Sequence, residues 1–202
     1  MKANEVVHCS DFPCLDTRRA GYQLPGVEVD PAAVKILLIS EAAPENPADY
    51  YYAGAEAIFA RTSLLAFQDA GAKVTCMQDI LDLGVYLTTE VKCAKAGSGL
   101  ASATVQNCAR LLEKEIALFP NIRVYLLMGD VAIKAINDIA RHSGEPRAIP
   151  AGSTYKIRGG EFHFRGARAI PSYVQAGPAF FVEKSKRRMI AEDIALALAL
   201  AE

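Results

Sequence analysis

The sequence lacks a marked excess of charge of either sign, a long apolar run and an internal repeat. It has 22 Lys and Arg against 23 Asp and Glu in 202 residues, for a formal net charge of −1. This total neither indicates nor excludes a nucleic acid partner, because a local basic patch can lie within a neutral chain. No run is long and apolar enough to span a membrane, and the N-terminus lacks the apolar core of a signal peptide. We therefore expect a cytoplasmic protein with no membrane partner and no obligate protein partner.

The chain has five cysteine residues. In a cytoplasmic protein, cysteines are more often thiols or metal ligands than disulfides. Cys9 and Cys14 lie close together in residues 1–30, a segment without sustained periodicity that we predict to be an N-terminal arm. These two residues either bind a metal or are ordinary buried thiols. Because about half of the chain is apolar, residues 1–202 are predicted to form one domain.

Apolar runs of strand length alternate with segments of helical period along the chain. This alternation predicts an α/β fold, a three-layer α/β/α sandwich around a central, mainly parallel four-stranded sheet. A hairpin is predicted at residues 155–164, where apolar and polar residues alternate around Gly159 and Gly160. Gly129 follows the third strand outside any phosphate-binding glycine motif, so it indicates no ligand. The four strands predicted for the sheet are residues 34–39, 84–88, 124–128 and 167–170.

Glu41 follows the first predicted strand and precedes two small residues and a proline. Ligands of parallel α/β sheets bind just outside the carboxyl ends of the strands, so this carboxylate is either a functional group or a solvated loop residue. Three consecutive tyrosines come next, at residues 50–52. Because neighbouring side chains point in different directions in a helix or a strand, at least one of them is expected to line a surface or a pocket.

A basic cluster opens the last predicted helix, at residues 184–188. Cations at the start of a helix oppose its dipole. This conflict indicates either a contact with phosphate or a solvated, charged helix end.

Five segments, in order along the chain, resemble motifs of the uracil-DNA glycosylase superfamily and in particular of its iron–sulfur (family 4) branch. Residues 39–44, Ile-Ser-Glu-Ala-Ala-Pro, resemble the first motif, a strand followed by Gly-Glu-Ala-Pro-Gly. Residues 85–93 resemble a Thr-Asn-x-x-Lys-Cys segment, and residues 107–116 resemble the helix that carries the next cysteine. Residues 126–132 resemble a Leu-Gly-x-x-Ala turn, and residues 170–172, Ile-Pro-Ser, stand in the place of the second motif, His-Pro-Ser or His-Pro-Ala.

The resemblance implies a DNA repair enzyme that hydrolyses the N-glycosidic bond of uracil or another deaminated base, flipped out of DNA. Glu41 aligns with the catalytic glutamate, which stabilises the sugar cation and orients water. Tyr51 or Tyr52 would stack on the base, and Tyr173, Phe180 or Phe181 would fill the vacated stack. The other residues implied to bind the substrate are Ala42, Ala43, Thr89, Pro171 and Ser172. Those implied to contact DNA phosphates are Lys184, Lys186, Arg187 and Arg188.

The resemblance also implies a 4Fe-4S cluster held by Cys9, Cys14, Cys93 and Cys108. Cys93 and Cys108 match the family spacing, and Cys14 matches the second N-terminal cysteine. The first usually lies three residues earlier, where this chain has Asp11, so Cys9 would substitute through a longer loop. Four thiolates would equally suit a zinc ion, and the remaining alternative is four unconnected thiols.

Three positions depart from the family pattern. Thr89 replaces the asparagine that reads the base edge, and it offers one hydroxyl instead of a bidentate amide. Ile170 replaces the histidine that stabilises the leaving base, while His163 is either a substitute or a structural residue. The proline of the first motif is displaced by one residue. The alternatives are therefore a catalytically inactive member of the superfamily that binds nucleic acid or a nucleotide, and a redox or unrelated hydrolase domain.

Overall fold

A computed structural model describes residues 1–202 and contains a single six-stranded sheet. The strands are β1 (Thr17–Arg18), β2 (Ile36–Ala43), β3 (Val85–Lys95), β4 (Val124–Met128), β5 (Phe162–Phe164) and β6 (Ala167–Ser172). The α-helices are α1 (Ile58–Asp69), α2 (Met77–Asp82), α3 (Ser102–Ile116), α4 (Asp130–His142), α5 (Thr154–Ile157) and α6 (Lys184–Ala201). Short 3₁₀ turns form at Ala3–Glu5, Arg19–Gly21, Pro47–Asp49 and Pro178–Phe181. No helix combines the length and the hydropathy that crossing a bilayer requires.

The strand order is β1-β3-β2-β4-β6-β5. The central four strands, β3, β2, β4 and β6, are parallel, whereas β1 and β5 are antiparallel edge strands. The predicted α/β sandwich with a mainly parallel sheet is confirmed, and the four predicted strands are the four parallel ones. The sheet is two strands wider than predicted, because β1 pairs with β3 and β5, which the sequence predicts only as part of a separate hairpin, pairs with β6.

The sheet is covered on both faces. Successive side chains of a strand point to opposite faces, so Leu37 and Ile39 of β2 pack with α3 and α4, whereas Ile36 and Leu38 pack with α1 and α6. All four are buried. A parallel strand that is buried on both faces needs a continuous apolar run, which is the pattern that the sequence carries here.

The predicted hairpin at residues 155–164 is wrong in its first strand. Thr154–Ile157 forms the single turn α5, and β5 pairs instead with β6. The connecting turn is Arg165-Gly166, and both residues have positive φ, +50° and +80°. Two-residue turns of this handedness match the twist of a hairpin. Arg165 is held there by ion pairs with Glu113 and Glu145.

The N-terminal arm is packed against the sheet. Ala3, Val7 and Leu24 belong to the core beneath α3 and α4. β1 pairs with the last residues of β3, and the Gln23 N–H donates a hydrogen bond to the Lys92 carbonyl. These contacts bring the first two cysteines of the chain close to β3.

Candidate active site

Two adjoining cavities of about 470 Å³ and 310 Å³ lie outside the carboxyl ends of the parallel strands. Both are lined by Glu41 and Val174, so we call them together the Glu41 cleft. The larger cavity is bounded by the β4–α4 turn, the start of α5 and the start of α6, and the smaller one by the ends of β2 and β3. Volumes of this size are typical of small-molecule sites.

Glu41 faces this cleft from the end of β2. Its side chain is 33% exposed, and its Oε1 lies 2.7 Å from Nζ of Lys95, the last residue of β3. An ion pair this exposed adds little to stability, but it orients the carboxylate and leaves Oε2 available. Ala42 and Ala43 line the smaller cavity, and their methyl groups leave space beside the carboxylate.

Gly129 forms the turn between β4 and α4 on the opposite wall of the cleft. Its φ is +102°, a conformation that favours glycine. A Cβ atom at this position would lie 2.6 Å from Cγ2 of Val174. Glycine is therefore required both by the backbone and by the close approach of Val174.

Of the two predicted stacking residues, Tyr51 lies in the core and Tyr52 is half-buried against it. Tyr51 is fully buried, and its Oη lies 2.5 Å from Ser40 Oγ and accepts a hydrogen bond from Gln175 Nε2 at 3.2 Å. The Tyr52 hydroxyl accepts from the Leu87 N–H at 2.9 Å and donates to the Leu87 carbonyl at 3.2 Å. Burial raises the pKa of both tyrosines. Neither ring lines the Glu41 cleft.

The three other predicted substrate contacts are also buried. Thr89 in β3 is inaccessible to solvent, and its hydroxyl has no hydrogen-bond partner. Pro171 and Ser172 end β6, and the Ser172 hydroxyl donates to Asp193 of α6 at 2.6 Å. Arg158 binds the same carboxylate, and burial raises the pKa of Asp193. The Ser172 side chain is thus used inside the fold.

No histidine lines the cleft. Ile170, in the place of the motif-two histidine, is 1% exposed and packs with α1 and α6. His163 is exposed on β5, the edge strand. The structure therefore does not bring His163 to the position that Ile170 leaves without a donor.

Two of the four predicted phosphate contacts line the cleft, and both are paired within the chain. Lys186 lies 2.7 Å from Glu183 and over the ring of Tyr173. Arg187 binds both carboxylate oxygens of Asp69 in α1, through Nε and Nη2. The two that lie outside the cleft lining are Lys184 and Arg188.

The four predicted cluster ligands surround one small cavity between the arm, β3 and α3. This cavity is lined by Cys9, Cys14, Cys93 and Cys108, with Arg19 and Lys92 among the other lining residues. Burial raises the pKa of the Cys93 thiol to about 11 and that of the Cys108 thiol to about 12. Asn107 Nδ2 approaches Cys14 Sγ at 3.8 Å. No group of three Cys, His, Asp or Glu side chains has an arrangement that could hold a single metal ion. The fifth cysteine, Cys76, is exposed at the start of α2.

The family model described as the uracil DNA glycosylase superfamily matches residues 27–192. The chain belongs to the uracil DNA glycosylase superfamily. The matched part contains the whole Glu41 cleft and every strand except β1. The match confirms the predicted superfamily. It leaves out Cys9 and Cys14 in the arm, so the assignment to the iron–sulfur branch stays a prediction.

The chain is similar in sequence to the type-5 uracil-DNA glycosylase of Thermus thermophilus. The two chains are 34% identical over 84 residues, which is 41% of this chain. The alignment spans only 37% of the relative's length.

The site of this superfamily member combines the predicted carboxylate with residues that the motifs do not indicate. Lys95 follows the last residue of a motif by two positions, and no motif includes Val174. Lys95 had no signal, because the strand predicted there ends at residue 88 whereas β3 continues to Lys95. Val174 had none either, because it lies in an irregular segment after β6.

Proposed function

We propose that this protein is a DNA glycosylase that hydrolyses the N-glycosidic bond of uracil or another deaminated base. The observation that carries the proposal is the position of Glu41, a partly exposed carboxylate at the carboxyl end of β2 in a cleft with room for a flipped base. Membership of the superfamily and the resemblance of residues 39–44 to its first motif support this role.

The chemistry assigned to Glu41 follows from the charge that develops in the reaction. The bond between C1′ and the base nitrogen breaks with its electron pair on the base, and positive charge builds on the sugar. A carboxylate beside C1′ stabilises that charge and orients the water whose oxygen bonds to C1′. The proton released by the water neutralises the departing base. In this protein Lys95 holds one carboxylate oxygen, and the other faces the substrate.

The test is base release from uracil-containing single- and double-stranded DNA, with protein purified without oxygen. Glu41→Gln should lower the rate by about 10²–10³-fold, the usual effect of removing one electrostatic stabiliser. Glu45→Gln is the matched control, because Glu45 is an exposed carboxylate in the wall of the same cavity. Equal rates for Glu41→Gln and wild type would contradict the role, as would no release of uracil, hypoxanthine or xanthine.

The second candidate is a catalytically inactive member that binds nucleic acid or a nucleotide. The observation that favours it is Ile170, which cannot stabilise a leaving base and is buried in the core. Binding of DNA that is unaffected by Glu41→Gln, without release of any base, would establish this candidate instead.

We also propose that Cys9, Cys14, Cys93 and Cys108 hold a 4Fe-4S cluster. The residues present fit the group, because four thiols surround one cavity and Arg19 and Lys92 would offset the negative charge of the thiolates. Four thiolates would also suit a zinc ion, so the metal content has to distinguish the two. Such a cluster supplies a redox-active cross-link; here it would join the arm to β3 and α3.

Iron and acid-labile sulfide per chain, together with visible absorption, test the cluster in protein purified anaerobically. Cys93→Ala should lose both iron and sulfide, and Cys76→Ala should retain them, because Cys76 lies outside the cavity. Iron content equal in wild type and Cys93→Ala, or zinc in place of iron, would contradict the proposal.

A further inference from the structure

A buried polar cluster lies directly behind the smaller cavity of the cleft. We call it the Tyr51 cluster; it consists of Ser40, Tyr51, Ser63 and Gln175, all inaccessible or nearly so. Tyr51 Oη lies 2.5 Å from Ser40 Oγ, and Gln175 Nε2 donates to Tyr51 Oη at 3.2 Å and approaches Ser63 Oγ at 3.4 Å. The amide nitrogen of Gln175 is thus held, whereas its Oε1 has no partner.

A second unpartnered atom, Thr89 Oγ1, belongs to the same place. Thr89 and Ser40 are register partners on the neighbouring parallel strands β3 and β2. Thr88 points to the α3 face, where it bonds Glu115. Alternation along the strand directs Thr89 to the other face, where Ser40 meets Tyr51. Buried polar atoms without partners are rare in native proteins, and two of them here flank one cluster.

The Tyr51 cluster borders the cavity that contains the carboxylate. Ser40 lines this cavity together with Glu41, and so do Val174 and Ala176, the chain neighbours of Gln175. The segment that carries the Gln175 amide is irregular between β6 and the 3₁₀ turn at Pro178–Phe181.

We propose that Gln175 and Thr89 together read the hydrogen-bonding edge of the excised base, a proposal that rests on the glycosylase function above. Uracil and hypoxanthine share one edge, a ring N–H beside a carbonyl. The Gln175 oxygen accepts from the ring N–H, and the Thr89 hydroxyl donates to the carbonyl. Cytosine and adenine present an unprotonated ring nitrogen, so the amide oxygen would face another acceptor.

This arrangement replaces one bidentate amide with two side chains. The asparagine of relatives carries an acceptor and a donor together, whereas Thr89 at that position carries one hydroxyl. Gln175 would supply the missing acceptor from the irregular segment after β6. Both atoms are enclosed, so the proposal requires Val174 and Ala176 to shift aside before the base can reach them. A base that cannot form these two hydrogen bonds would leave the buried Gln175 and Thr89 groups unpaired, and this cost is what makes such a site reject it.

The test compares kcat/KM for uracil, hypoxanthine and cytosine in otherwise identical DNA. Gln175→Met and Thr89→Val remove the polar groups with little change of shape. Each should lower kcat/KM for uracil and hypoxanthine by about 10- to 100-fold and reduce the selectivity for uracil over cytosine. Affinity for DNA with an abasic site should stay within about twofold, because no base is read there. Gln106→Met, an exposed amide on α3, is the control.

Unchanged selectivity in both variants, or an equal loss of affinity for abasic DNA, would overturn the proposal. Should wild type release no base, the glycosylase function fails separately, and binding of free uracil and hypoxanthine is measured by calorimetry. Binding that Gln175→Met abolishes would support base reading, and no binding by wild type would overturn it. Should Gln175→Met not fold, Gln175→Asn keeps the amide but shortens its reach, and the same loss of selectivity is expected.

Discussion

The substitution Glu90→Gln tests a buried carboxyl group that has no hydrogen-bond partner. Glu90 lies in β3 and is inaccessible to solvent, and neither carboxylate oxygen has a hydrogen-bond partner. Desolvation raises the pKa of Glu90 well above its usual range, and the charge of Lys92 offsets only part of this effect. Lys92 is engaged with a different carboxylate, that of Glu115, at 2.5 Å.

The raised pKa makes stability fall as pH rises. Glutamate in the unfolded chain has a pKa of about 4.3, so above that pH the unfolded state releases a proton that folded Glu90 retains. The free energy of unfolding then decreases by about 1.4 kcal/mol per pH unit until the pKa of the folded state is reached. Between pH 5 and pH 7 this loss is at most about 2.7 kcal/mol. Glutamine has the same shape but does not titrate, so the variant avoids the loss.

The assay is urea unfolding at pH 5, 6 and 7. We expect the free energy of unfolding of Glu90→Gln, relative to wild type, to rise steadily over this range. Glu161→Gln is the control, because the Glu161 side chain is 86% exposed. A difference between Glu90→Gln and wild type that is the same at pH 5 and pH 7 would refute the reasoning, since it would mean that folded Glu90 does not hold its proton.

Two further substitutions test the buried ion pair of Lys92, which lines the cysteine cavity, and the turn at Gly129, which lines the Glu41 cleft. Lys92→Met leaves Glu115 buried without its partner and should destabilise the protein by about 3–5 kcal/mol in urea unfolding; the double variant with Glu115→Met should recover most of the loss, and no recovery would argue against the ion pair as the cause. Gly129→Ala should lower the unfolding temperature more than Gly144→Ala, because both have positive φ but only the first Cβ meets Val174. Equal losses would rule out that contact.

The central sheet could be predicted because each parallel strand is specified by its own residues. β4, for example, is buried along its whole length, and Val124 to Met128 are all apolar. The edge strand β5 has an alternating pattern that predicts a strand, whereas the other edge strand, β1, has no such signal. β1 is two polar residues, Thr17 and Arg18, that become a strand only by pairing with the end of β3. Short edge strands depend on tertiary contacts that no local pattern records.

The position of Glu41 could be predicted, but that of Lys95 could not. Glu41 ends an apolar strand, and the carboxyl ends of parallel strands meet at one edge. Lys95 reaches Glu41 because the register between β2 and β3 shifts at Ala42 and Ala43, where Ala42 faces Val91 and Ala43 faces Ala94. A bulge of this kind redirects side chains, and no pattern in the sequence of either strand predicts it.

The tyrosines show the same limit. A run of three predicts that they diverge, but not which ring enters the core. Tyr51 is buried and Tyr52 is half-buried, with Ser40 and the backbone of Leu87 satisfying their hydroxyls. A buried tyrosine needs such a partner, and only the folded chain brings these partners within reach.

The missing histidine is a property of the packing and not only of one position. Ile170 is 1% exposed and contributes to the core formed with α1 and α6. An imidazole there would lie among apolar side chains and would need a buried partner of its own. The neighbouring polar group, the Ser172 hydroxyl, already donates to Asp193. Histidine at position 170 alone would therefore cost stability without supplying an oriented donor. Under the proposed function, base release would therefore rest on Glu41 in the cleft and not on a donor at position 170.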